Sequence, residues 1–272
     1  MGHLGETWWG KSEIRVSKVH RGEGEHGFSD AAVQVLLGND HEPTHLVGDN
    51  TAVLPTDTMR NTVYGLAQEH LGPDLEGFAS RIAARFLSRE DVIRARVAVS
   101  ERRWDRVTGT GFLGGGSERR TARVSMGEGD DATWAGIEGL VVLKTSGSAF
   151  AGFPRDEFTI LPDAEDRLLA TAVSAEWRYQ SVPADTAAAW GAARDAMVSS
   201  FFAEPSLSLQ HQGWMMAGAA LEAVPEIASI RLRLPNQHHL GFDLARFGME
   251  DLGVVFHPVS EPYGDISLTV ER

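Results

Sequence analysis

Apolar and polar residues alternate in the first part of the chain. Residues 13–20 place apolar groups at every second position, which predicts a half-buried strand. Two more strands are predicted at residues 31–37 and 45–55, the second folded around a turn at residues 48–50. The chain therefore opens with strands.

Helical spacing replaces this alternation in the next segment. Thr56 and Asp57 offer an N-cap to a helix whose apolar face carries Met59, Val63, Leu66 and His70. After a break at residues 72–73, a second helix carries on one face Leu75, Phe78, Ile82 and Phe86. Two strands, at residues 92–99 and 120–126, close this half.

The second half of the chain repeats the plan. Its predicted strands, helices and strands follow in that order at residues 139–147, 168–180, 186–202, 207–224, 227–235 and 266–272. The pattern predicts two ββααββ units, which we assign to residues 1–135 and 136–272. The fold class is then α+β, with antiparallel sheets and helices layered on one face. Because such sheets have open edges, we expect side-by-side assembly of several chains into a closed ring.

The length of 272 residues suits two hydrophobic cores better than one. No segment approaches the roughly 20 apolar residues that a membrane span requires, so we expect no membrane association. The first ten residues lack the features of a secretory signal, and the last residues carry no SKL-type peroxisomal address. The expected location is the cytoplasm.

Charge and cysteine content exclude several kinds of function. The formal net charge is −13, and the three lysines are Lys11, Lys18 and Lys144. Such an acidic surface repels phosphate backbones, so we expect no nucleic-acid partner. The absence of cysteine excludes disulfides, thiolate nucleophiles and cysteine-ligated metals.

Two short motifs match known signatures without the structural context those signatures need. Residues 41–45 fit the zinc-protease pattern H-E-x-x-H, which works only on a helix, and Pro43 makes a helix improbable there. We therefore interpret this segment as a loop or strand entry and expect no metal site. Residues 109–114 fit G-x-G-x-x-G, but a turn and a strand follow instead of a helix. A hairpin loop is the better interpretation.

Polar and aromatic residues at the ends of predicted elements are the candidates for chemistry. Taken singly, each has an ordinary structural explanation. The Thr56–Asp57 pair opens a helix whose free amides favour an anion, but taken alone a plain N-cap is the better explanation. Lys11 could be a solvated lysine, and Phe150 and Phe153 could be core aromatics. Arg167 could be an ion-paired surface arginine, and Asn236 and His238 could be hydrogen-bonded residues at the end of a strand.

Taken together, four segments change this interpretation. Residues 9–21, 48–70, 136–179 and 232–244 resemble the uricase (urate oxidase) family, in the family's order, and the resemblance extends over about residues 9–272. Its most specific parts are the long central segment and the motifs T-D-T-x-x-N-T-V-Y and L-P-N-x-H. A chance match to all of them is not credible.

The resemblance implies a fold, an assembly and an activity. Uricases have two tandem units of the tunnelling fold (T-fold), and four chains stack into a tunnel-shaped barrel with active sites at subunit interfaces. The reaction implied is cofactor-independent oxidation of urate by molecular oxygen and water to 5-hydroxyisourate and hydrogen peroxide. The expected partners are urate, oxygen and further copies of the chain, most simply as a homotetramer.

The resemblance also implies roles for particular residues. One chain would supply Lys11, Thr56 and Asp57, and a neighbour would supply Phe150, Arg167, Leu209 and Gln210. Asn236 and His238 also belong to the implied site, on a chain that the resemblance leaves open. The proton relay would consist of Lys11, Thr56 and His238. The remaining residues would bind substrate, with Asn236 and Thr56 holding oxygen.

Three departures from the family pattern are local. Trp9 stands where a tyrosine is usual, Leu209 where valine is commoner, and residues 211–216 differ from the usual sequence. An alternative from another class is a non-catalytic T-fold protein that binds a purine or pterin, against which the intact relay residues argue. A T-fold pterin aldolase or cyclohydrolase is a weaker alternative, because the cyclohydrolase zinc site has no counterpart in a chain without cysteine.

Overall fold

The computed structural model describes residues 2–127, 129, 131–203 and 205–272. The first half of the chain forms, in order, β1 (Trp9–His20), β2 (Gly27–Gly38), α1 (Pro43–Leu46), α2 (Thr56–His70), α3 (Leu75–Leu87), β3 (Arg94–Arg106) and β4 (Phe112–Gly127). The second half forms β5 (Ala132–Lys144), β6 (Leu169–Tyr179), α4 (Thr186–Ala203), α5 (Leu209–Ala223), β7 (Ile227–Gly241), a 3₁₀ turn (Ala245–Phe247) and β8 (Phe256–Glu271).

Apart from the single turn of α1, each half therefore runs strand, strand, helix, helix, strand, strand. The strands lie in one sheet in chain order, and the pairs β1–β2, β2–β3, β3–β4 and β7–β8 are antiparallel. This confirms the predicted α+β class. By compactness the chain divides into unit 1 (Met1–Ile137 with Trp177–Trp190) and unit 2 (Glu138–Glu176 with Gly191–Arg272).

The core of unit 1 lies between its sheet and the helices α2 and α3. Alternate residues of β2, β3 and β4 point into it, including Val35, Val97 and Val124, all at most 1% exposed. The helices contribute buried side chains at the spacing that the sequence predicted, namely Met59, Val63, Phe78, Ile82 and Phe86. Leu66 is only partly buried, and His70 lies at the end of α2. The helical period thus predicted both helices correctly.

In unit 2, α5 packs closely on β7 and β8. Its buried face includes Met216, Ala217 and Ala220, and β7 contributes Ile230, Leu232 and Leu234. A Cβ at Gly213 would lie 2.7 Å from a methyl carbon of Leu268 and 2.9 Å from one of Leu234. The glycine therefore lets helix and sheet approach.

The strand predicted at residues 45–55 is wrong. Residues Pro43–Leu46 form a single helical turn, and the chain then folds back through turns. Asp49 causes this, because its carboxylate accepts from both the amide and the hydroxyl of Thr51, at 2.9 and 2.7 Å. Gly48, at φ +76°, supplies the left-handed conformation that the reversal needs.

The expectation that Pro43 prevents a helix is also wrong. Proline occupies the first turn of α1, where its missing amide hydrogen removes no helical bond. His41 precedes this helix and contacts Asp49, Nε2 to Oδ2 at 3.2 Å, so it does not share a helical face with His45. Within the described ranges, no three His, Cys, Asp or Glu side chains are arranged to hold a metal ion.

The glycine-rich segment 109–114 lies in the connection between β3 and β4 and at the start of β4. The amides of Val107 and Gly111 bond within the loop, the first to the Gly111 carbonyl and the second to the Thr108 hydroxyl. The hairpin interpretation is confirmed. No helix of the described residues is both long enough and apolar enough to cross a bilayer.

A buried ion pair lies among the apolar residues of unit 1. Glu76 of α3 is 0% exposed, and its carboxylate lies 2.7 Å from the guanidinium of Arg120 on β4. Glu101 is directly opposite Arg120 in the β3–β4 register. Burial raises the pKa of Glu101 to about 7 and also raises the pKa of Glu76. Arg120 thus compensates for carboxylates that have lost their water.

We predict that Arg120→Met destabilises the protein strongly, because it leaves the Glu76 carboxylate buried without its partner. Removing one member of a buried pair typically costs about 3–5 kcal/mol in the free energy of unfolding, measured by urea titration. The control is Arg106→Met, which breaks an exposed pair with Glu25 and should cost less than about 1 kcal/mol. Equal effects of the two substitutions would contradict a structural role for the buried pair.

Candidate active site

Lys11 lies in β1 beside an irregularity of the sheet. The register of β1 with β2 shifts between Lys11 and Ile14, and Glu13, at φ +54°, is the non-glycine residue with a positive φ in the described part of the chain. A β-bulge of this kind re-aims neighbouring side chains and is common next to active sites. Gly10 allows the close pairing here, because a Cβ at that position would collide with the backbone of Val35.

The start of β1 is tied to the start of α2. The indole N–H of Trp9 donates to the Leu54 carbonyl at 3.1 Å, two residues before α2 begins. Lys11 Nζ lies 3.4 Å from Asp57 Oδ1. Lys11 and the Thr56–Asp57 pair are therefore neighbours in unit 1, and Trp9 contributes to holding them together.

Thr56 does not cap α2 as the sequence predicted, because it is the first residue of the helix. The N-cap is Pro55, which has no side-chain acceptor, and no side-chain hydrogen bond caps this end. Helix N-termini carry unpaired amides and partial positive charge. The first turn of α2 can thus accept an anionic or carbonyl group.

Phe150 and Arg167 come together in unit 2, in the long connection between β5 and β6. Phe150 forms an isolated antiparallel bridge with Ala164, and Arg167 donates its amide to the Ser148 carbonyl at 2.7 Å. The Arg167 guanidinium lies 5.4 Å from the centre of the Phe150 ring. That ring also stacks on Phe153, with centroids 4.9 Å apart.

The environment of Arg167 differs from that of a surface arginine. Its side chain is half-buried, its Nε has no hydrogen-bond partner, and burial lowers its pKa. The described residues place no carboxylate within ion-pair distance of it, although Asp166 is adjacent in sequence. A partly desolvated guanidinium without a counter-ion is suited to binding an anionic or carbonyl-rich ligand.

Leu209 and Gln210 open α5. Ser208 is the N-cap, and its hydroxyl accepts from the amide of His211 at 3.0 Å. Leu209 is buried at 2% exposure, whereas Gln210 is exposed. The helix start therefore anchors Leu209 in the core and presents the amide of Gln210 to the outside.

Asn236 and His238 lie together on β7, beside a second bulge. The register with β8 shifts between these two residues, and Asn236 Nδ2 lies 3.5 Å from His238 Nδ1. His238 also borders a cavity of about 530 Å³ within unit 2, large enough for a small planar ligand. A third bulge, in β3 between Arg102 and Trp104, accompanies no candidate residue, so a bulge alone does not mark a site.

The structure thus groups the candidates by unit. Unit 1 carries Lys11 with Thr56 and Asp57, and unit 2 carries the others. Sequence analysis missed Asp166, Ser148 and Ser206, which organise the connection that holds Phe150 and Arg167. Two serines and an aspartate in a polar loop have no periodic signal by which they could have been found.

Comparison with known proteins identifies the same family over nearly the whole chain. The uricase family model matches residues 8–130 and 133–267. The chain is 40% identical to uricase from Arthrobacter globiformis, over 99% of this chain and 90% of that protein. It is 33% identical to uricase from Dictyostelium discoideum, over 100% and 98% of the respective chains.

Solved structures give the same result for the fold. The crystal structure of uricase from Arthrobacter globiformis superposes with a TM-score of 0.96 at 39% identity, covering 100% of this chain and 96% of that one. Urate oxidase from Bacillus sp. TB-90 superposes with a TM-score of 0.84 at 22% identity, over 98% and 100% of the respective chains. At that identity the second match supports the fold alone.

Proposed function

The chain belongs to the uricase family, and on that premise we propose how its residues act as a urate oxidase, an oxidoreductase of purine degradation. The observation that supports the site most directly is the half-buried Arg167, whose charge lacks a carboxylate partner in the described part of the chain and lies beside Phe150. Urate is a flat anion rich in carbonyl and N–H groups, so it matches both residues.

Three side chains would orient the purine ring. The planar fork of Arg167 can grip a carbonyl oxygen and a ring nitrogen together. Phe150 offers a flat apolar surface for stacking. Gln210 can present its amide donor and acceptor to an adjacent carbonyl and N–H edge. A purine that lacks the matching oxygen would leave these groups unpaired, which gives the site its selectivity.

Helix ends would add backbone contacts to the same ligand. The first turn of α2 has no side-chain cap at Pro55, which supports a role for the amides of Thr56 and Asp57 in binding. The amide of Leu209 stands at the start of α5. Because this contact is through the backbone, leucine can replace the commoner valine.

Urate itself would supply the electrons, so we propose that the reaction uses no cofactor. Deprotonated urate passes one electron to oxygen, and the radical pair recombines as a hydroperoxide on the ring. Water then adds to the ring as hydrogen peroxide leaves. Urate has lost two electrons, oxygen has gained two, and the oxygen of the new hydroxyl group in 5-hydroxyisourate comes from water.

The protein would move the protons. We assign Lys11, Thr56 and His238 to a relay that takes protons from urate and returns them to the peroxide. Asn236, 3.5 Å from His238, would hold oxygen and later water above the ring together with Thr56. The register shifts beside Lys11 and His238 support this assignment only in combination with the other contacts, since such irregularities are common next to active sites.

Assembly would complete the site. We propose that residues 1–135 and 136–272 are tandem T-fold units, and that four chains form a tunnel-shaped homotetramer. Lys11, Thr56 and Asp57 would come from one chain, and Phe150, Arg167, Leu209 and Gln210 from a neighbour. The grouping of the candidates by unit supports this division.

Lys11→Ala and Thr56→Ala should each lower turnover by about 10²–10⁴-fold, the usual contribution of general acid–base groups. The affinity for urate in the absence of oxygen, measured by anaerobic titration, should fall far less, because the relay acts after binding. Lys18→Ala is the matched control. This lysine lies on the same strand, bonds to the end of α2, and should be dispensable for turnover. Near-normal turnover in either relay variant would remove that residue from the relay.

Mixing two inactive variants tests the shared site. Thr56→Ala and Arg167→Ala chains, combined in equal amounts under conditions of subunit exchange, should regain activity. Random pairing leaves both residues intact in about a quarter of the sites. Exchange is verified by mass spectrometry of differently tagged chains. Absence of recovery after proven exchange would mean that one chain completes each site.

A further inference from the structure

The carboxylate of Asp166 binds a single turn of the chain about twenty residues earlier. Its Oδ2 accepts from the Ser146 hydroxyl at 2.6 Å, and its Oδ1 accepts from the amides of Gly147 and Ser148 at 2.7 and 3.3 Å. Gly147 has φ +79°, a conformation that side chains disfavour. Three consecutive donors therefore converge on one carboxylate.

This turn holds the aromatic residue Phe150 and the cationic residue Arg167 of the candidate site in register. Beyond it, residues 147–150 run beside residues 164–167. The Arg167 amide donates to the Ser148 carbonyl at 2.7 Å, and Phe150 and Ala164 exchange both backbone bonds at 2.7 and 2.9 Å. Asp166 thus secures one end of a short paired segment that carries Phe150 and Arg167.

The same turn also fixes the approach to α5. The Ser206 amide donates to the Gly147 carbonyl at 3.0 Å, and the Ala149 amide donates to the Ser206 carbonyl at 2.8 Å. Ser148 and Ser206 are each 1% exposed, and their hydroxyls lie 3.3 Å apart. Leu209, the first residue of α5, follows three residues later.

Because Asp166 is oriented toward the turn, Arg167 has no carboxylate counter-ion among the described residues. The Asp166 carboxylate is occupied by the turn 146–148 and makes no ion pair with Arg167. The bond from the Ser146 hydroxyl, followed by the amide of Gly147, lowers the pKa of Asp166. The carboxylate therefore stays ionised at pH values below its ordinary range, and its hold on the turn is lost only as pH falls through the lowered pKa.

We propose that Asp166 is a positioning residue for urate binding, which clamps the turn 146–148 and so sets Phe150, Arg167 and the entry to α5 in their binding geometry. This proposal rests on the proposed function. It assigns Asp166 no contact with urate. The clamp also explains why an aspartate can stand beside the urate-binding arginine without neutralising it.

The test is Asp166→Asn, which removes the charge and places an amide NH₂ among N–H and O–H donors. Misaligning a hydrogen bond to a charged group typically weakens binding by about tenfold or more. We therefore expect the KM for urate and the anaerobic Kd to rise about tenfold or more, with kcat changed by less than about threefold. Asp163→Asn is the matched control, since Asp163 is exposed in the same connection and bonds Gly152 and Arg155. Its KM should stay unchanged.

A double-mutant cycle separates positioning from general loss of structure. If Asp166 acts through Arg167, Asp166→Asn should raise KM much less in an Arg167→Lys background than in the unmodified chain. Ser146→Ala, which deletes one hydroxyl donor, should raise KM in the same direction by a smaller factor, and it provides the test if Asp166→Asn does not fold.

Two results would overturn the proposal. One is an unchanged KM in both Asp166→Asn and Ser146→Ala while the unmodified enzyme is active. The other is an Asp166→Asn effect that is equally large with and without Arg167. An unmodified protein that does not consume urate would be recognised separately, and it would overturn the proposed function together with the clamp.

Discussion

The candidate ligand site of unit 2 depends on one constraint. The guanidinium of Arg167 is half removed from water, and no carboxylate lies beside it in the described part of the chain. Burial lowers the pKa of Arg167, so holding its charge there is unfavourable until an anion arrives. The surrounding connection keeps the charge unpaired because Asp166 is bound to the turn 146–148. In the proposed function, the binding of an anionic purine would compensate for this desolvation, which would link the packing of the loop to substrate choice.

Two of the three relay candidates, Lys11 and His238, lie beside irregularities in their strands. Lys11 lies at the bulge of β1, and Asn236 and His238 span the bulge of β7. A regular strand alternates its side chains strictly between two faces, and an extra residue breaks that alternation. At a bulge, a strand whose other residues pack in the core can turn a polar side chain away from the core. Beside Lys11, the backbone of Gly10 packs so closely on that of Val35 that a Cβ atom would not fit between them.

Periodicity predicted the parts of the fold that long apolar stripes determine. The helices through Met59 and Phe78 follow because a buried face repeats every three to four residues. The prediction of a strand at residues 45–55 failed because local hydrogen bonds from Thr51 to the Asp49 carboxylate outweigh a short apolar pattern.

The site was less accessible to pattern than the fold. Arg167 and His238 were identified by resemblance to a family, since a lone arginine or histidine carries no periodic signal. Asp166 was missed altogether, because its partners lie about twenty residues away and are mostly backbone amides. Such contacts depend on tertiary structure that no local window of sequence contains.

The most direct test of this account is a single assay on the purified chain after exhaustive treatment with a chelator and removal of small molecules. Loss of the ultraviolet absorbance of urate and uptake of oxygen are followed together in a closed cell. The account predicts that both proceed at the untreated rate, with one oxygen consumed and one hydrogen peroxide formed for each urate. Urate that binds but is not consumed, or activity that returns only when a metal or cofactor is added, would contradict it.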